Sequence, residues 1–508
     1  MLFLYENVAP ITVALSASLV AWLFGGARGD LIALVVPWLC FFVLEVLVFF
    51  PQRMQGESLY AARSRVWRDL GSSGIAWISL GFVCLLVIPF VNKGLCPSCD
   101  AAAIAAGADC SPPIPFLPSC VDRRMHLTTF LWFVFVLSSV LVMRHALQRD
   151  GRRLVLNILV WNGVALSLLG FVQGMTNAPG PFWMALSGRT PSRHTAGLFF
   201  SVFGYPNMAG DYFTLLFGIS VALWRARCEK LHQESLMGDW SEHTSASTRR
   251  FEKIVKRHYL LIPAILFFFS ALCTLSRAAI LLVSTLACVY FLHTLALIIC
   301  RMERSRRIVV GVWGVVVFFM IVFFAVLFMP QDVRKEVDSL DSYEVLDRMT
   351  GKQQHHVQVA NAIWTDHFLF GCGGWGYAHF CEPKVRELKL PRGSLLQQVG
   401  SANVHNDYLQ FLAEHGLVGF ACLAAIVIIL LVPVFRQVCA MYRTYRFQRQ
   451  KRRLPKPIQI FIIPSPVFII LLACLATLIH AFGDCPLRSL AILDLLYLSI
   501  AALPSFMP

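Results

Sequence analysis

Charge is what this sequence has least of. Only 14% of its 508 residues are Asp, Glu, Lys or Arg, against roughly a quarter in ordinary soluble domains. Acids are scarcer than bases, 29 against 44. Several signatures are missing outright. No Walker-type phosphate loop occurs, which argues against nucleotide-driven transport. No HExxH or tight His/Cys pair marks a zinc site, so no metal and no cofactor is expected. The N-terminus lacks the basic region of a cleaved signal peptide, so the first apolar run reads as a retained helix. What remains is 57% hydrophobic, with 40 Phe, 12 Trp and a mean hydropathy of +0.65. That composition predicts an all-α polytopic membrane protein.

Apolar runs of about 17–25 residues are candidate spans. Twelve are predicted: Val8–Phe24, Leu31–Phe50, Ile75–Val91, Leu127–Met143, Leu154–Phe171, Met208–Trp224, Tyr259–Leu275, Ala279–Cys300, Ile308–Met329, Leu417–Phe435, Ile458–Phe482 and Leu490–Leu503. With both termini on the cytoplasmic side, the inner loops are 51–74, 144–153, 225–258, 301–307 and 436–457. They hold most of the Lys and Arg, while the short outer turns are nearly free of them. This is the positive-inside pattern. The net charge of +15 therefore needs no nucleic-acid partner; the basic inner loops read as solvated or facing lipid headgroups.

The outer side is then expected to hold the loop 92–125, with Cys96, Cys99, Cys110 and Cys120, and the long segment 330–416, with Cys372 and Cys381. Thiols on an oxidising side predict disulfides, although spacing does not give their pairing. Cys96-Pro-Ser-Cys99 also has redox or zinc spacing, but no βαβ pattern surrounds it. Gly371-Cys-Gly-Gly-Trp-Gly376 superficially resembles a dinucleotide loop without the flanking strand and helix. It reads better as a tight turn whose backbone N–H groups face an anion.

Three polar features gather on that side. Ser276-Arg277 separates two apolar runs almost without a loop; Arg277 is either a snorkelling interfacial residue or a functional charge. Arg348 precedes a predicted amphipathic helix whose face is marked by Val359, Ala360 and Ile363; alone it reads as a surface residue. The third is Ser401-Ala-Asn-Val-His405-Asn-Asp-Tyr-Leu-Gln-Phe-Leu-Ala-Glu-His-Gly-Leu-Val-Gly-Phe420, a polar stretch pressed against the run from Leu417. Helical spacing stacks His405 with Leu409 and Leu412 and puts Glu414 roughly opposite. Ser401 or Asn403 is the expected cap, and Gly416 and Gly419 are expected to admit a neighbouring helix. His405 is either a structural cap or part of a site.

His405-Asn-Asp-Tyr-Leu-Gln-Phe-Leu-Ala-Glu-His-Gly-Leu-Val-Gly419 resembles the H-N-x-x-L-x-x-x-x-E-x-G-x-x-G signature of the O-antigen ligase and polymerase superfamily at every fixed position. Other elements follow in order. Phe203-Gly-Tyr-Pro-Asn207-Met-Ala resembles F-x-N-P-N-x-x-A, with Tyr205 where Asn is usual. Leu275-Ser-Arg277-Ala-Ala resembles S-R-G-A, with Ala278 for Gly. Phe368-Leu-Phe-Gly-Cys-Gly373 resembles P-L-x-G-x-G, with Phe368 for Pro, and His480-Ala-Phe-Gly-Asp484-Cys-Pro-Leu resembles H-x-x-x-D-F-P-L. The likeness covers roughly residues 150–500.

The resemblance implies a membrane glycosyltransferase that takes a glycan from undecaprenyl diphosphate and joins it to an acceptor hydroxyl on the periplasmic face of the bacterial inner membrane. Lipid A–core is the expected acceptor; a lipid-linked repeat (polymerase) or a protein Ser/Thr (O-oligosaccharyltransferase) are the alternatives. His405 is carried over as the catalytic residue. Arg277 and Arg348 are carried over as diphosphate-binding, with Asn207, Asn406, Asp407, Glu414 and Asp484 as supporting residues. The corresponding domain division is 1–150, 151–329, 330–416 as the periplasmic loop domain, and 417–508. A non-enzymatic glycan transporter is the competing class. It would not explain chemistry gathered at one face rather than at the midplane.

Overall fold

The computed structural model describes residues 6–94, 112–184, 199–236, 257–301, 304–327, 353–390, 403–450 and 463–507, with 255 and 334 besides. Its helices are α1 (Val8–Trp22), α2 (Gly29–Phe49), α3 (Leu59–Gly71), α4 (Gly74–Val87), α5 (Arg123–Leu141), α6 (Arg149–Met175), α7 (Pro206–Leu236), α8 (Leu261–Cys273), α9 (Arg277–Arg301), α10 (Arg304–Leu327), α11 (Gln353–Asp366), α12 (Gly376–Glu387), α13 (Asp407–Gln450), α14 (Ser465–His480) and α15 (Leu490–Ala502). Among the described residues there is no strand, only two isolated bridges.

Each predicted apolar run overlaps a helix, although residues 328–329 and 458–462 of two runs lie outside the described residues. Among the described residues, length and apolarity alone qualify fewer of them as spans: five helices suffice, or six if Leu59–Gly71 and Gly74–Phe90, bent by 68°, count as one. Val8–Trp22, Leu261–Cys273, Ser465–His480 and Leu490–Phe506 are apolar but shorter. Large apolar side chains such as Trp38, Phe41 and Ile428 stand exposed on these helices. An outward-facing apolar surface of that extent suits lipid rather than water. The chain is a multi-pass membrane protein.

The fold divides into two compact units, Met1–Leu159 with Asp341–Leu431 and Thr477–Ala502, and Val160–Leu340 with Val432–Ala476 and Leu503–Pro508. In the second unit, small residues let helices approach closely. A Cβ on Gly163 would fall 2.4 Å from Leu216 and one on Gly218 2.4 Å from Ala473. Tyr290 donates its hydroxyl to the Ile469 carbonyl at 2.8 Å, which satisfies a buried polar group.

In the first unit, α11 and α12 form a core from Val359, Ala360, Ile363, Tyr377, Cys381 and Val385, joined by Val404 and Ala413. The face predicted for α11 is the buried one. Among the described residues, however, the expected thiols do not pair: Cys120, Cys372 and Cys381 are free and buried. Each has another neighbour instead. Cys120 donates to the Pro89 carbonyl and Cys381 to the Tyr377 hydroxyl, while Cys372 packs beneath Gly376. Cys96, Cys99 and Cys110 lie outside the described residues.

A single break organises this unit. α13 is interrupted at Gly416 (φ 64°, ψ −173°), and a helix break leaves carbonyls on one side and N–H groups on the other without partners. The segment 368–373 supplies them. The N–H groups of Cys372 and Gly373 donate to the carbonyls of Ala413 and Glu414, each at 2.9 Å. Those of Leu417 and Val418 donate to Phe368 and Leu369 at 3.0 and 3.1 Å. The two backbones touch: a Cβ on Gly371 would lie 2.2 Å from the Glu414 carbonyl carbon, and one on Gly416 2.3 Å from that of Leu369. Gly416 therefore admits a loop backbone rather than a helix, and Gly419 abuts the Cβ of His415. The glycine turn does not present its N–H groups to an anion either, since Gly374 donates to Nδ1 of His126 and Gly376 to Gly373.

Gly371→Ala should therefore cost about 2–4 kcal/mol, from overpacking plus a left-handed backbone. Gly81→Ala, where a Cβ would meet nothing within 4 Å, should be neutral or mildly stabilising. Thermal unfolding in detergent separates the two; equal midpoints would contradict the clasp.

Candidate active site

The residue before α13 does not continue the helix. His405 has φ 55°, a left-handed backbone uncommon for a non-glycine residue. It precedes the first helical residue, so the predicted stacking on Leu409 and Leu412 does not arise. The cap is Asn406, whose Oδ1 accepts from Leu409 N at 3.1 Å. Asn403 instead accepts from Nε2 of Gln410 at 3.4 Å, and Ser401 lies outside the described residues.

The start of α13 is stapled to the end of α14 and the turn after it. Asp407 N donates to the Ala481 carbonyl at 2.9 Å. The Asp407 Oδ2 accepts from Leu487 N at 2.8 Å, and Tyr408 donates to the Leu478 carbonyl at 2.7 Å. These contacts bring Asp484 to His405, with Nδ1 2.9 Å from Oδ1. The same Oδ1 accepts from Cys485 N at 2.9 Å, which marks it as an acceptor. Nδ1 of His405 therefore carries the proton, and Nε2 is the nitrogen that can take one. His480 Nε2 is 3.9 Å from the other Asp484 oxygen, beyond hydrogen-bond length.

The hydrogen bond to Asp484 holds the His405 pKa above its ordinary value, against burial, with help from the charges of Asp484 and Asp407. A raised folded-state pKa means this contact stabilises the fold below the ordinary histidine value and is lost as pH rises through the raised one. His405 Nδ1, the Asp484 carboxylate and Cys485 Sγ lie within 4.8 Å of one another, a grouping of metal-ligand type. Its geometry is that of a hydrogen-bonded trio. Oδ1 already receives Nδ1–H and the Cys485 N–H, and burial together with the neighbouring carboxylates pushes the Cys485 thiol well up.

Glu414 points elsewhere, as its place on the helix predicts. It is fully buried, and its Oε2 meets an Arg488 guanidinium nitrogen at 2.8 Å. Its Oε1 accepts from Gln410 at 3.1 Å. Arg488 also approaches Asp407 at 3.8 Å and lies 5.2 Å over the Trp375 ring. Sequence reading missed Arg488, although it directly follows the Asp484-Cys-Pro-Leu element. Asp407, Tyr408, His415 and Arg488 form the polar end of an apolar cavity of about 320 Å³ whose walls include Phe411, Phe420 and Tyr497.

Arg277 and Asn207 belong to the second unit. Arg277 opens α9 in the second unit, half-buried, behind a left-handed Leu275 (φ 57°). Ser276 caps that helix, its Oγ accepting from Ala279 N at 3.3 Å. Asn207, in the first turn of α7, donates to the Tyr205 hydroxyl at 3.0 Å. Their two elements pack together: a Cβ on Gly210 would lie 2.4 Å from the Ala279 Cβ and 3.0 Å from Thr274 Oγ1. Arg348 lies outside the described residues.

Residues 262–424 match the family model described as O-Antigen ligase, which supports the O-antigen ligase superfamily. The matched stretch holds Arg277, the 368–373 turn, His405 and Glu414, and ends before Asp484. No curated protein matches the chain.

Removing one partner of a buried ion pair strands the other, at a cost of about 3–5 kcal/mol. Arg488→Met should destabilise the protein by that order, and Arg488→Met with Glu414→Gln by clearly less. Thermal unfolding of the single and double variants measures the difference; additive losses would mean that the two residues do not act as a pair.

Proposed function

We propose that this protein is an O-antigen ligase of the bacterial inner membrane. It transfers a glycan from undecaprenyl diphosphate to a hydroxyl of lipid A–core on the periplasmic face. The observation that carries the reading is the His405–Asp484 pair in a chain whose residues 262–424 match the O-antigen ligase family model.

In this scheme Asp484 fixes the His405 tautomer, and Nε2 takes the proton from the acceptor hydroxyl. The acceptor oxygen bonds to the anomeric carbon as the bond from that carbon to the phosphate oxygen breaks. The electron pair leaves with the lipid diphosphate, and direct displacement inverts the anomeric configuration. Arg277 and Arg348 hold the diphosphate and neutralise its growing charge. His405 then releases its proton to water. Asn406, Asp407 and Glu414 serve the framework around the base, and Asn207 serves the packing beside Arg277. The apolar cavity with its polar end at Asp407 and Tyr408 supports a substrate carried on a lipid rather than a soluble one.

A positioned general base is worth about 10²–10⁴-fold. With a polyprenyl-diphosphate glycan and lipid A–core in nanodiscs, His405→Ala should lose that much transfer while remaining folded; full activity would remove it as the base. Because the His405 pKa is raised, wild-type kcat should climb as pH passes through that raised value. Asp484→Asn should shift the rise to lower pH and lower the plateau; an unchanged profile would sink the pairing. In a deletion strain, bare core with intact lipid-linked polymer identifies the ligase. Core carrying a single repeat identifies a polymerase, and unaltered lipopolysaccharide with a lost glycoprotein identifies a protein transferase.

A further inference from the structure

The core between α11 and α12 contains a polar pair that stability does not explain. His356 and Tyr377 are buried among Val359, Ile363 and Val385, and His356 Nδ1 lies 2.9 Å from the Tyr377 hydroxyl. Burying two polar side chains costs free energy that one mutual hydrogen bond only offsets. A Leu and a Phe would fill the same space without that cost. Burial pushes the Tyr377 phenol up, so it keeps its proton. The Cys381 thiol donates to its oxygen at 3.6 Å, which leaves the phenol hydrogen for His356 Nδ1. The imidazole of His356 is thus held in one orientation by a chain of donors.

That ring faces His405. The two imidazoles meet edge to face, with centroids 6.4 Å apart and planes at 70°. His405 needs such a wall. Its backbone is left-handed, it stands ahead of the helix, and its side chain is 30% exposed. One hydrogen bond through Nδ1 leaves an imidazole able to pivot about that bond. A second contact on the ring removes the freedom, and orientation at a reacting centre is worth large factors in rate.

We propose that His356, anchored by Tyr377, is a positioning residue that holds the His405 ring where Nδ1 meets Asp484 and Nε2 faces the acceptor. The proposal rests on the transferase reading for its consequence in rate, and on the geometry alone for the brace itself. Among the described residues, the titratable groups around His405 are Asp484, Asp407 and Cys485, with His356 across the ring and His480 3.9 Å from Asp484.

The test uses the full chain in nanodiscs and two readouts. The first is carbethoxylation of His405 by diethyl pyrocarbonate, followed by peptide mass spectrometry across a pH series. The second is kcat and KM with an undecaprenyl-diphosphate glycan and lipid A–core. Tyr377→Phe keeps the ring packing and removes only the hydroxyl. It and His356→Ala should each lower the His405 midpoint by about one pH unit as the Asp484 bond loosens. Both should cut kcat roughly ten- to a hundred-fold with KM unchanged. His356→Phe, which restores a ring beside His405, should recover most of the midpoint relative to Ala. A wild-type midpoint in Tyr377→Phe overturns the proposal, as does a His356→Ala variant that loses thermal stability alone. If the wild-type protein transfers nothing, the ligase reading fails, while the carbethoxylation midpoints still decide the brace.

Discussion

The clasp at the broken helix is the constraint on which the first unit depends. Opening α13 at Gly416 strands backbone donors and acceptors in apolar surroundings, where each unmade bond costs about 1–3 kcal/mol. Segment 368–373 makes four of those bonds at once, and it does so only because Gly371 and Gly416 let two main chains touch. The loop is thereby fixed to the helix. The α11–α12 core that begins just before it and continues just after it is fixed too, with His356 and Tyr377 inside.

Buried charge completes the frame from the other side. Arg488 spans Glu414 and Asp407, two turns apart on one face of α13, and lies over Trp375 from the glycine turn. Three separate stretches of chain therefore converge on one guanidinium, a group whose planar fork suits several partners at once. Asp484, four residues before Arg488, is carried into place by this junction. Such a network is a poor source of net stability, because desolvation consumes most of the attraction. Its effect is to fix register between segments distant in sequence.

How much of this was legible beforehand depended on range. The apolar runs, the buried face of α11 and the direction of Glu414 follow from helical period, which is local, and all are found as helices or faces. The H-N and P-L-x-G-x-G-like elements were readable as motifs, but their shared purpose was not. Nothing in either stretch says that its glycines face each other. His405 was misread as a helical residue because a left-handed backbone leaves no periodic trace. The outer thiols were expected to pair from their side of the membrane; Cys120 and Cys381, among the described ones, donate to other neighbours instead. Arg488 stood one residue past a recognised element, and a pairing across 74 positions is invisible to any window of the chain.

The same long range has a consequence for how the protein is born. His405 and Asp484 are 79 residues apart in sequence, and the intervening chain includes all of α13 and α14. While a ribosome is still synthesising α14, the histidine has no carboxylate to orient it and the arginine of the junction does not yet exist. The His405–Asp484 pair and the Arg488 junction can therefore form only once the turn between α14 and α15 has been made.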